Sequence, residues 1–347
     1  MKKRLIGLDL FRVFLAIVVF MFHSMVFAGC DYSFLNFLAG AGSSFMTAFF
    51  MLSGFSIFYS MKDKELFAVK DIRDFYIKRL IGIIPLFWVV MIVYHVVWGE
   101  LSFRKLLFLL PMDLLGLRST MFSFPNNQFI WFVSNIIFCY LFYPFLHSVI
   151  NQMRTKAKVI LIGVLVVLVV YATQVIPGVF ALSAFPYYSI FYRVAEFLIG
   201  MLLASFMTTS KKIIHKPWIA WMLSIIELVI LLLGMKLINN ALLYAVFLFL
   251  CFGVLLFSLS ECECRWLEKS KFIGYITSCT YALYLAQVWT LRLFEKTVPN
   301  FLSLAHNGSN LLRLVIVWVS TIVLTVFLHE LIEKPCKKIL SKILLKN

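Results

Sequence analysis

Ten apolar runs of about 20 residues each follow one another along the chain, and they constrain its fold more than any other feature. About 20 consecutive apolar residues cross the hydrocarbon core of a bilayer as an α-helix, and a helix satisfies its own backbone hydrogen bonds there. We therefore predict an all-α, polytopic transmembrane bundle of about ten spanning helices. The runs are 5–27, 43–60, 77–98, 129–150, 158–176, 188–207, 217–235, 241–259, 272–292 and 311–332.

Composition agrees with a membrane protein, because 63% of the residues are hydrophobic and only 14% are charged. Soluble domains are nearer 45–50% apolar and about 25% charged. The even spread of the runs favours a single membrane-embedded domain, 1–347, with an extracytoplasmic loop at about 99–128. That loop contains an apolar stretch, 106–115, which is interrupted by Pro111 and Asp113 and suits a re-entrant or interfacial piece better than a span.

The basic residues predict the orientation. With the N-terminus in the cytoplasm, twenty-three of them fall at the inner side and seven at the outer side, as the positive-inside rule requires. We therefore predict that both termini are cytoplasmic. The net charge of +16 indicates attraction to anionic lipids rather than to nucleic acid. The seven outer residues are Arg104, Lys105, Arg118, Lys236, Arg292, Lys296 and Arg313.

Three ionisable residues, Asp9, Arg12 and His23, lie inside the first run, and the last two are the strongest functional signal. Ionisable groups at membrane depth are costly and usually mark a functional interior. Eleven residues make about three helical turns, so the two side chains share a face, roughly 16 Å apart along the axis. We predict that one long donor molecule contacts both. Two unrelated polar residues buried against neighbouring helices would give the same spacing.

Further polar groups lie near the end of the second run and at the start of the third run. Ser53 and Gly54 permit close helix approach, and Ser53 could also hydrogen-bond across helices. Lys78 and Arg79 lie at the predicted cytoplasmic edge. They could reach the lipid headgroups or hold a phosphorylated ligand, since both residue types bind phosphate.

The fourth and sixth runs carry a second polar set. Trp131 has a position typical of the aromatic belt at the outer interface, and Asn135 is predicted to be buried. Arg193 and Glu196 are three residues apart, close enough to pair on one helix. Such a pair would be either an internal tie or part of a ligand-binding site.

No Ser-His-Asp set, phosphate-binding glycine loop or metal cluster can be assembled from the spacing of residues. We therefore expect no metal and no permanently bound cofactor. A histidine alone can still act as a general base, because an imidazole titrates near neutral pH.

Seven motifs occur in the same order as in the integral-membrane family-3 acyltransferases of bacteria, and the chain resembles that family over nearly its whole length. Three positions depart from the family pattern, since Gly82 replaces an arginine, Asn135 stands where some members have glutamate, and Gln287 replaces a histidine. The motif residues are Arg12 and His23; Phe49, Phe50, Ser53 and Gly54; Lys78, Arg79 and Pro85; Trp131, Tyr140, Tyr143 and Pro144; Arg193, Glu196, Phe197 and Gly200; the block 279–287; and Glu333, Lys334 and Pro335.

The resemblance implies a membrane O-acyltransferase in the bacterial cytoplasmic (inner) membrane. It would move an acetyl group from cytoplasmic acetyl-CoA, a co-substrate, to a hydroxyl of a surface polysaccharide, such as a capsule or exopolysaccharide, or of a lipid-linked sugar. Succinyl-CoA is the alternative donor. The implied roles are His23 as general base; Arg12, Lys78, Arg79 and Ser53 in donor binding; and Asn135, Arg193, Glu196 and Trp131 as acceptor-binding or structural groups.

Two other functions are compatible with these residues. A transporter or flippase for a polysaccharide or lipid-linked sugar would also have many helices and a polar interior. The second is a purely structural membrane subunit, which would leave Arg12, His23 and Arg193 without a functional reason. Transfer of acetyl from labelled acetyl-CoA by the purified protein would distinguish the first of these from an acyltransferase.

Overall fold

A computed structural model describes residues 4–64, 66, 68–97, 130–180, 189–209, 214, 216–304 and 310–345. Within these ranges all regular secondary structure is helical, so the all-α prediction is confirmed. The predicted extracytoplasmic loop, 99–128, lies outside the described residues. The prediction of a single domain is not tested and stays a prediction.

The helices follow the apolar runs closely. In the first half of the chain they are α1 (Ile6–Ala28), α2 (Asn36–Gly40), α3 (Phe45–Met61), α4 (Val69–Val97), α5 (Ile130–Gln152), α6 (Thr155–Phe180) and α7 (Ile190–Thr209). The second half contains α8 (Pro217–Leu237), α9 (Ala241–Ser260), α10 (Arg265–Lys269), α11 (Lys271–Leu304), α12 (Asn310–Leu328) and α13 (Lys334–Leu344). A π-helical segment, His329–Glu333, joins α12 to α13.

The structure supports the predicted number of membrane spans, about ten, only in part. Among the described residues, seven helices are long and apolar enough to cross a membrane, or eight if the bent pair Ser33–Ser43 and Phe45–Met61 is one span. The predicted runs 158–176 and 272–292 lie in α6 and α11, which are not among those seven. The chain is thus a multi-pass membrane protein, while ten spans and cytoplasmic termini stay predictions.

One compact unit consists of the described residues of Met1–Leu8, Thr47–Arg79 and Ser102–Lys269. In this unit α7 packs against α5, α6 and α9, and α8 packs against α9. Local signals set the helix ends: Pro217 opens α8, and the Asn240 side chain accepts a hydrogen bond from Leu243 N at 2.9 Å at the start of α9. Proline suits the first helical turn and asparagine suits the cap.

Two glycines bring α3 and α7 into direct backbone contact. A Cβ on Gly54 would overlap the carbonyl oxygen of Phe197, and a Cβ on Gly200 would overlap that of Met51. Small residues at such crossings allow helices to approach closely in a membrane. The predicted close approach at Gly54 is therefore present, and it fixes α3 next to the part of α7 that carries Arg193 and Glu196.

The second compact unit consists of the described residues of Asp9–Met46, Leu80–Leu101 and Ser270–Asn347. Here α11 packs against α12, and α1 joins them through a core in which Phe20 meets Leu291 and Val317. The C-terminal part of α4 is also held by α11, because Trp289 Nε1 donates to Val90 O at 3.3 Å.

A hydrogen-bonded turn fixes the end of α1. Gly29 has a φ of +61°, which ends the helix in a conformation that glycine adopts easily. Arg313 Nη1 of α12 donates to its carbonyl at 2.6 Å, and Trp318 Nε1 donates to Tyr32 Oη at 3.0 Å. The contacts of Arg313 and Trp318 position the last turns of α1, including His23. In the same turn, burial raises the pKa of the Cys30 thiol to about 11, so this thiol stays neutral.

Candidate functional site

His23 of α1 is hydrogen-bonded to Gln287 of α11. The His23 Nδ1 and Gln287 Oε1 atoms are 3.0 Å apart, Gln287 is 1% exposed and His23 is half-buried. An amide oxygen can only accept a hydrogen bond, so Nδ1 carries the hydrogen and the ring lone pair lies on Nε2. The rings of Phe22 and Phe27 lie 5.4 Å and 6.1 Å from the imidazole. The pair therefore holds the imidazole in the tautomer that a base needs.

Arg12 lies on the same continuous helix as His23, as the spacing predicts. Its Nη1 atom is 3.7 Å from Asp9 Oδ1, which is beyond hydrogen-bond distance, and the two side chains are 32% and 19% exposed. The contact is a loose electrostatic one rather than a closed ion pair. A partly exposed guanidinium at this place can contact an anion.

The predicted pairing of Arg193 with Glu196 is confirmed, and it is tight. Arg193 Nη1 lies 2.9 Å from Glu196 Oε1 and 2.7 Å from Oε2, and both side chains are 4% exposed. Thr47 Oγ1 of α3 donates to Glu196 Oε1 at 2.8 Å. A charge-assisted pair of this kind is stronger than a neutral hydrogen bond. The buried charges are thus compensated inside the first unit.

Aromatic rings enclose this ion pair. The Arg193 guanidinium lies 5.2 Å from the Trp131 ring centroid and 5.4 Å from that of Phe50, within cation–π range. Trp131 is only 4% exposed, so it packs inside the unit and does not face lipid as a belt residue would. Asn135, one helical turn further along α5, is fully buried as predicted.

Lys78 and Arg79 line a cavity of about 360 Å³ in the first unit. Lys78 is exposed, whereas Arg79 is half-buried with its guanidinium 5.5 Å from the Phe75 ring and 5.8 Å from the Tyr140 ring. The cavity mixes both signs of charge, since two carboxylates share its wall with three cations. The lining residues are Met61, Lys64, Leu66, Asp71, Asp74, Phe75, Lys78 and Arg79.

The sequence-predicted site residues form several separate groups. Arg193, Glu196 and Trp131 are brought together, while Lys78 and Arg79 share the cavity described above. Ser53 is half-buried on α3, next to Gly54. The lining of the cavity does not include it.

Two partners were not predicted from the sequence. Gln287 is 264 residues from His23, and Thr47 is 149 residues from Glu196. In the sequence, Gln287 stands out only as a departure from the family pattern, a polar residue in place of a titratable one. Among the described residues, no group of three or more His, Cys, Asp or Glu side chains could hold a metal ion.

A profile of the acyltransferase domain family matches residues 5–330 of the chain. No curated protein and no solved structure matches it. The matched range includes α1, with Arg12 and His23, and extends past the end of α12. Membership indicates acyltransferase activity in a membrane protein. The chain therefore belongs to the family-3 acyltransferases, an integral-membrane family.

Proposed function

We propose that the protein transfers an acetyl group from cytoplasmic acetyl-CoA to a hydroxyl of a surface polysaccharide or lipid-linked sugar, with His23 as the general base. The observation that carries this proposal is the hydrogen bond from His23 Nδ1 to Gln287 Oε1 at 3.0 Å. It orients the ring and leaves the basic lone pair on Nε2. The family match supports an acyltransferase rather than a transporter.

The chemistry needs one proton transfer and one acyl transfer. The acceptor hydroxyl gives its proton to His23 Nε2 while its oxygen attacks the thioester carbonyl. The carbon–sulfur bond then breaks, the ester forms, and the thiolate takes the proton back from Nε2. Throughout, Nδ1–H keeps its hydrogen bond to Gln287. A positioned base of this kind contributes roughly a hundred- to ten-thousand-fold in rate.

Basic residues are the proposed contacts of the donor phosphates. Arg79 and Lys78 line a cavity of about 360 Å³, and the Arg12 side chain is 32% exposed. Arginine binds phosphate oxygens with a planar fork, and lysine binds them as a point charge. Ser53 is proposed as a neutral hydrogen-bonding group for the same donor. The carboxylates of Asp71 and Asp74 in the cavity wall favour a ligand that also offers hydrogen-bond donors, as an adenine amino group does.

Arg193 and Glu196 are proposed as structural groups rather than acceptor ligands. Their charges already satisfy each other, and both are almost completely buried. Trp131 covers the guanidinium, and Asn135 is buried one turn away. In this role the four residues stabilise the first unit and do not touch the sugar.

The direct test is the His23→Ala variant of the purified protein, assayed for transfer from labelled acetyl-CoA. Without the base we expect the rate to fall by at least about a hundredfold, while the protein still inserts and purifies as a folded species. His147→Gln is the matched control, since His147 is a buried membrane histidine in the other unit that contacts Asn151. Wild-type transfer by a well-folded His23→Ala protein would contradict the proposal.

Two further measurements identify the substrates. Competition between acetyl-CoA and succinyl-CoA in the same assay names the donor. Glycan analysis of a deletion strain is expected to show loss of O-acetyl groups from a capsule or exopolysaccharide. Movement of a lipid-linked sugar across the membrane without acyl transfer would favour a flippase instead.

A further inference from the structure

Three side chains of the second unit form a serine–histidine–glutamate array. Ser278 Oγ lies 3.0 Å from His329 Nε2, and His329 Nδ1 lies 2.6 Å from Glu333 Oε2. The other carboxylate oxygen, Oε1, accepts a hydrogen bond from Lys337 Nζ at 2.5 Å. A hydroxyl, an imidazole and a carboxylate in this order are the arrangement in which a serine becomes a nucleophile.

The local fold explains how His329 and Glu333 come together. They are the first and last residues of the π-helical segment between α12 and α13. Single π-helical turns inside longer helices occur frequently at functional sites. Ser278 comes from α11, which packs against this segment.

The three side chains differ in how far they are buried. His329 and Glu333 are each 2% exposed, whereas Ser278 is exposed. The hydroxyl next to the buried pair is therefore accessible to a reactant and to water. Other charges lie nearby, since Lys334 Nζ is 4.9 Å from the Tyr275 ring centroid and 2.5 Å from Glu330 Oε1.

The distances allow His329 Nε2 to accept the Ser278 hydrogen. Ser278 Oγ can instead donate to the carbonyl oxygen of Tyr275 at 2.7 Å, and one hydroxyl hydrogen serves only one acceptor at a time. When a neutral His329 donates from Nδ1 to Glu333, the lone pair on Nε2 requires a donor. Donation from Ser278 to Nε2 satisfies the ring, whereas a backbone carbonyl within a helix already accepts from the helix itself.

This array is distinct from the His23 site. Nine residues separate Ser278 from Gln287 on α11, which corresponds to two and a half turns. The two side chains therefore point to opposite faces of the helix, roughly 13 Å apart along its axis. An inference about Ser278 does not depend on the role proposed for His23.

We propose that Ser278, His329 and Glu333 form a second reactive centre, with Ser278 as a nucleophile toward an activated acyl carbonyl, either a thioester or a lipid ester. The Ser278 oxygen attacks the carbonyl carbon while its proton moves to His329 Nε2. The bond to the leaving thiol or alcohol breaks, and the leaving group takes that proton. The product is an acyl ester on Ser278.

Water completes the turnover. A water molecule gives a proton to His329 Nε2 and attacks the acyl ester, and the freed Ser278 oxygen recovers the proton. The net reaction is hydrolysis of the thioester or lipid ester to a carboxylic acid. Glu333 is a positioning residue, since it orients His329 through Nδ1 and balances the charge of the transient imidazolium.

The first test uses an alkyl fluorophosphonate on the purified full-length protein. The probe forms a bond between Ser278 Oγ and phosphorus as fluoride leaves, and peptide mass spectrometry locates it. We expect modification of Ser278 that is lost in Ser278→Ala and slowed at least about a hundredfold in His329→Gln. Ser320→Ala is the matched control, because Ser320 Oγ bonds only to Val317 O, at 3.1 Å, among the described contacts.

Two readouts separate a reactive role from a structural one. Added imidazole is expected to restore labelling of His329→Ala. Glu333→Gln is expected to lower the maximal inactivation rate about tenfold or more, since the amide no longer holds the imidazole in the required tautomer, while the probe concentration for half-maximal rate stays unchanged. If wild-type Ser278 is not modified, or if the folded His329→Gln protein reacts as fast as the wild type, the proposal is overturned.

A turnover assay then distinguishes the two sources of the acyl group. It is done in the His23→Ala background, so that transfer at His23 does not contribute, with a short-chain acyl-CoA, a long-chain acyl-CoA and a dioleoyl phospholipid. Release of acid that depends on Ser278 supports the proposal and names the source. No Ser278-dependent release from any of the three would overturn the catalytic assignment.

Discussion

Two arginine–carboxylate pairs with the same three-residue spacing behave differently in the two units. In the first unit, Arg193 and Glu196 are 2.7 Å apart and each is 4% exposed. In the second unit, Arg12 and Asp9 are 3.7 Å apart and are 32% and 19% exposed. Identical spacing thus produces one closed, buried pair and one loose, accessible pair.

Neighbouring residues hold the first pair closed. Thr47 adds a hydrogen bond to Glu196, and Trp131 covers the guanidinium of Arg193. A buried charge remains tolerable only when such partners compensate for the lost hydration. Accordingly we propose that the first pair acts in stability and the second in contact with a ligand. Spacing alone does not suggest this division, whereas burial and distance support it.

The largest effect is expected from breaking the closed pair. Glu196→Gln leaves the Arg193 charge buried without its counter-charge, and removing one partner of a buried pair costs about 3–5 kcal/mol. We expect a large fall in the thermal unfolding midpoint of the detergent-purified protein. The matched control is Glu295→Gln, because Glu295 pairs with Arg292 at the same spacing while 46% exposed. Such an exposed pair contributes about 1 kcal/mol or less. Equal effects of the two substitutions would contradict the distinction.

A smaller loss of stability is expected at the helix contact that supports the closed pair. Gly200 is one turn after Glu196, and a Cβ there would overlap the backbone of Met51. Gly200→Ala should destabilise by about 1–3 kcal/mol, the usual range for overpacking. Gly163→Ala is the control, since nothing lies within 4 Å of a Cβ at Gly163 of α6. Thermal unfolding of both variants measures the contrast. An unchanged midpoint for Gly200→Ala would show that α3 and α7 can move apart without a loss of stability.

The loose pair is expected to affect binding and not folding. Arg12→Ala should raise the KM for acetyl-CoA about tenfold or more, since one lost charge-assisted contact is worth about 1.5–3 kcal/mol, with the unfolding midpoint nearly unchanged. Steady-state kinetics at several salt concentrations measures this effect. Asp9→Asn is the companion variant, because it removes the neighbouring negative charge and should lower the KM by less than about fivefold. A fall in stability of Arg12→Ala comparable to that of Glu196→Gln would remove the contrast between the pairs.

The sequence predicts local features well. Each of the ten apolar runs coincides with a helix over nearly all of its described residues, and the Arg193–Glu196 pair forms as its spacing indicates. Both depend on helical periodicity, which can be recognised from residues that are close together in the sequence. The sequence did not show that the pair is closed, because Thr47 and Trp131 come from other helices.

Hydrogen-bond partners that are distant in the sequence could not be predicted from the sequence. The contact between His23 and Gln287 joins α1 to α11, and that between Ser278 and His329 joins α11 to the π-helical segment. Only the four-residue spacing of His329 and Glu333 is local. Which serine approaches that pair depends on how the helices pack, and no periodicity encodes it.

The amide at position 287 has a consequence for how the enzyme responds to acidity. A glutamine neither gains nor loses a proton in the range where an imidazole titrates. With His23 as the proposed base, its contact with Gln287 therefore contributes one ionisation to a pH–rate profile, whereas two adjacent histidines would titrate as a coupled pair. A Gln287→His variant is accordingly expected to follow a broader curve than the wild type.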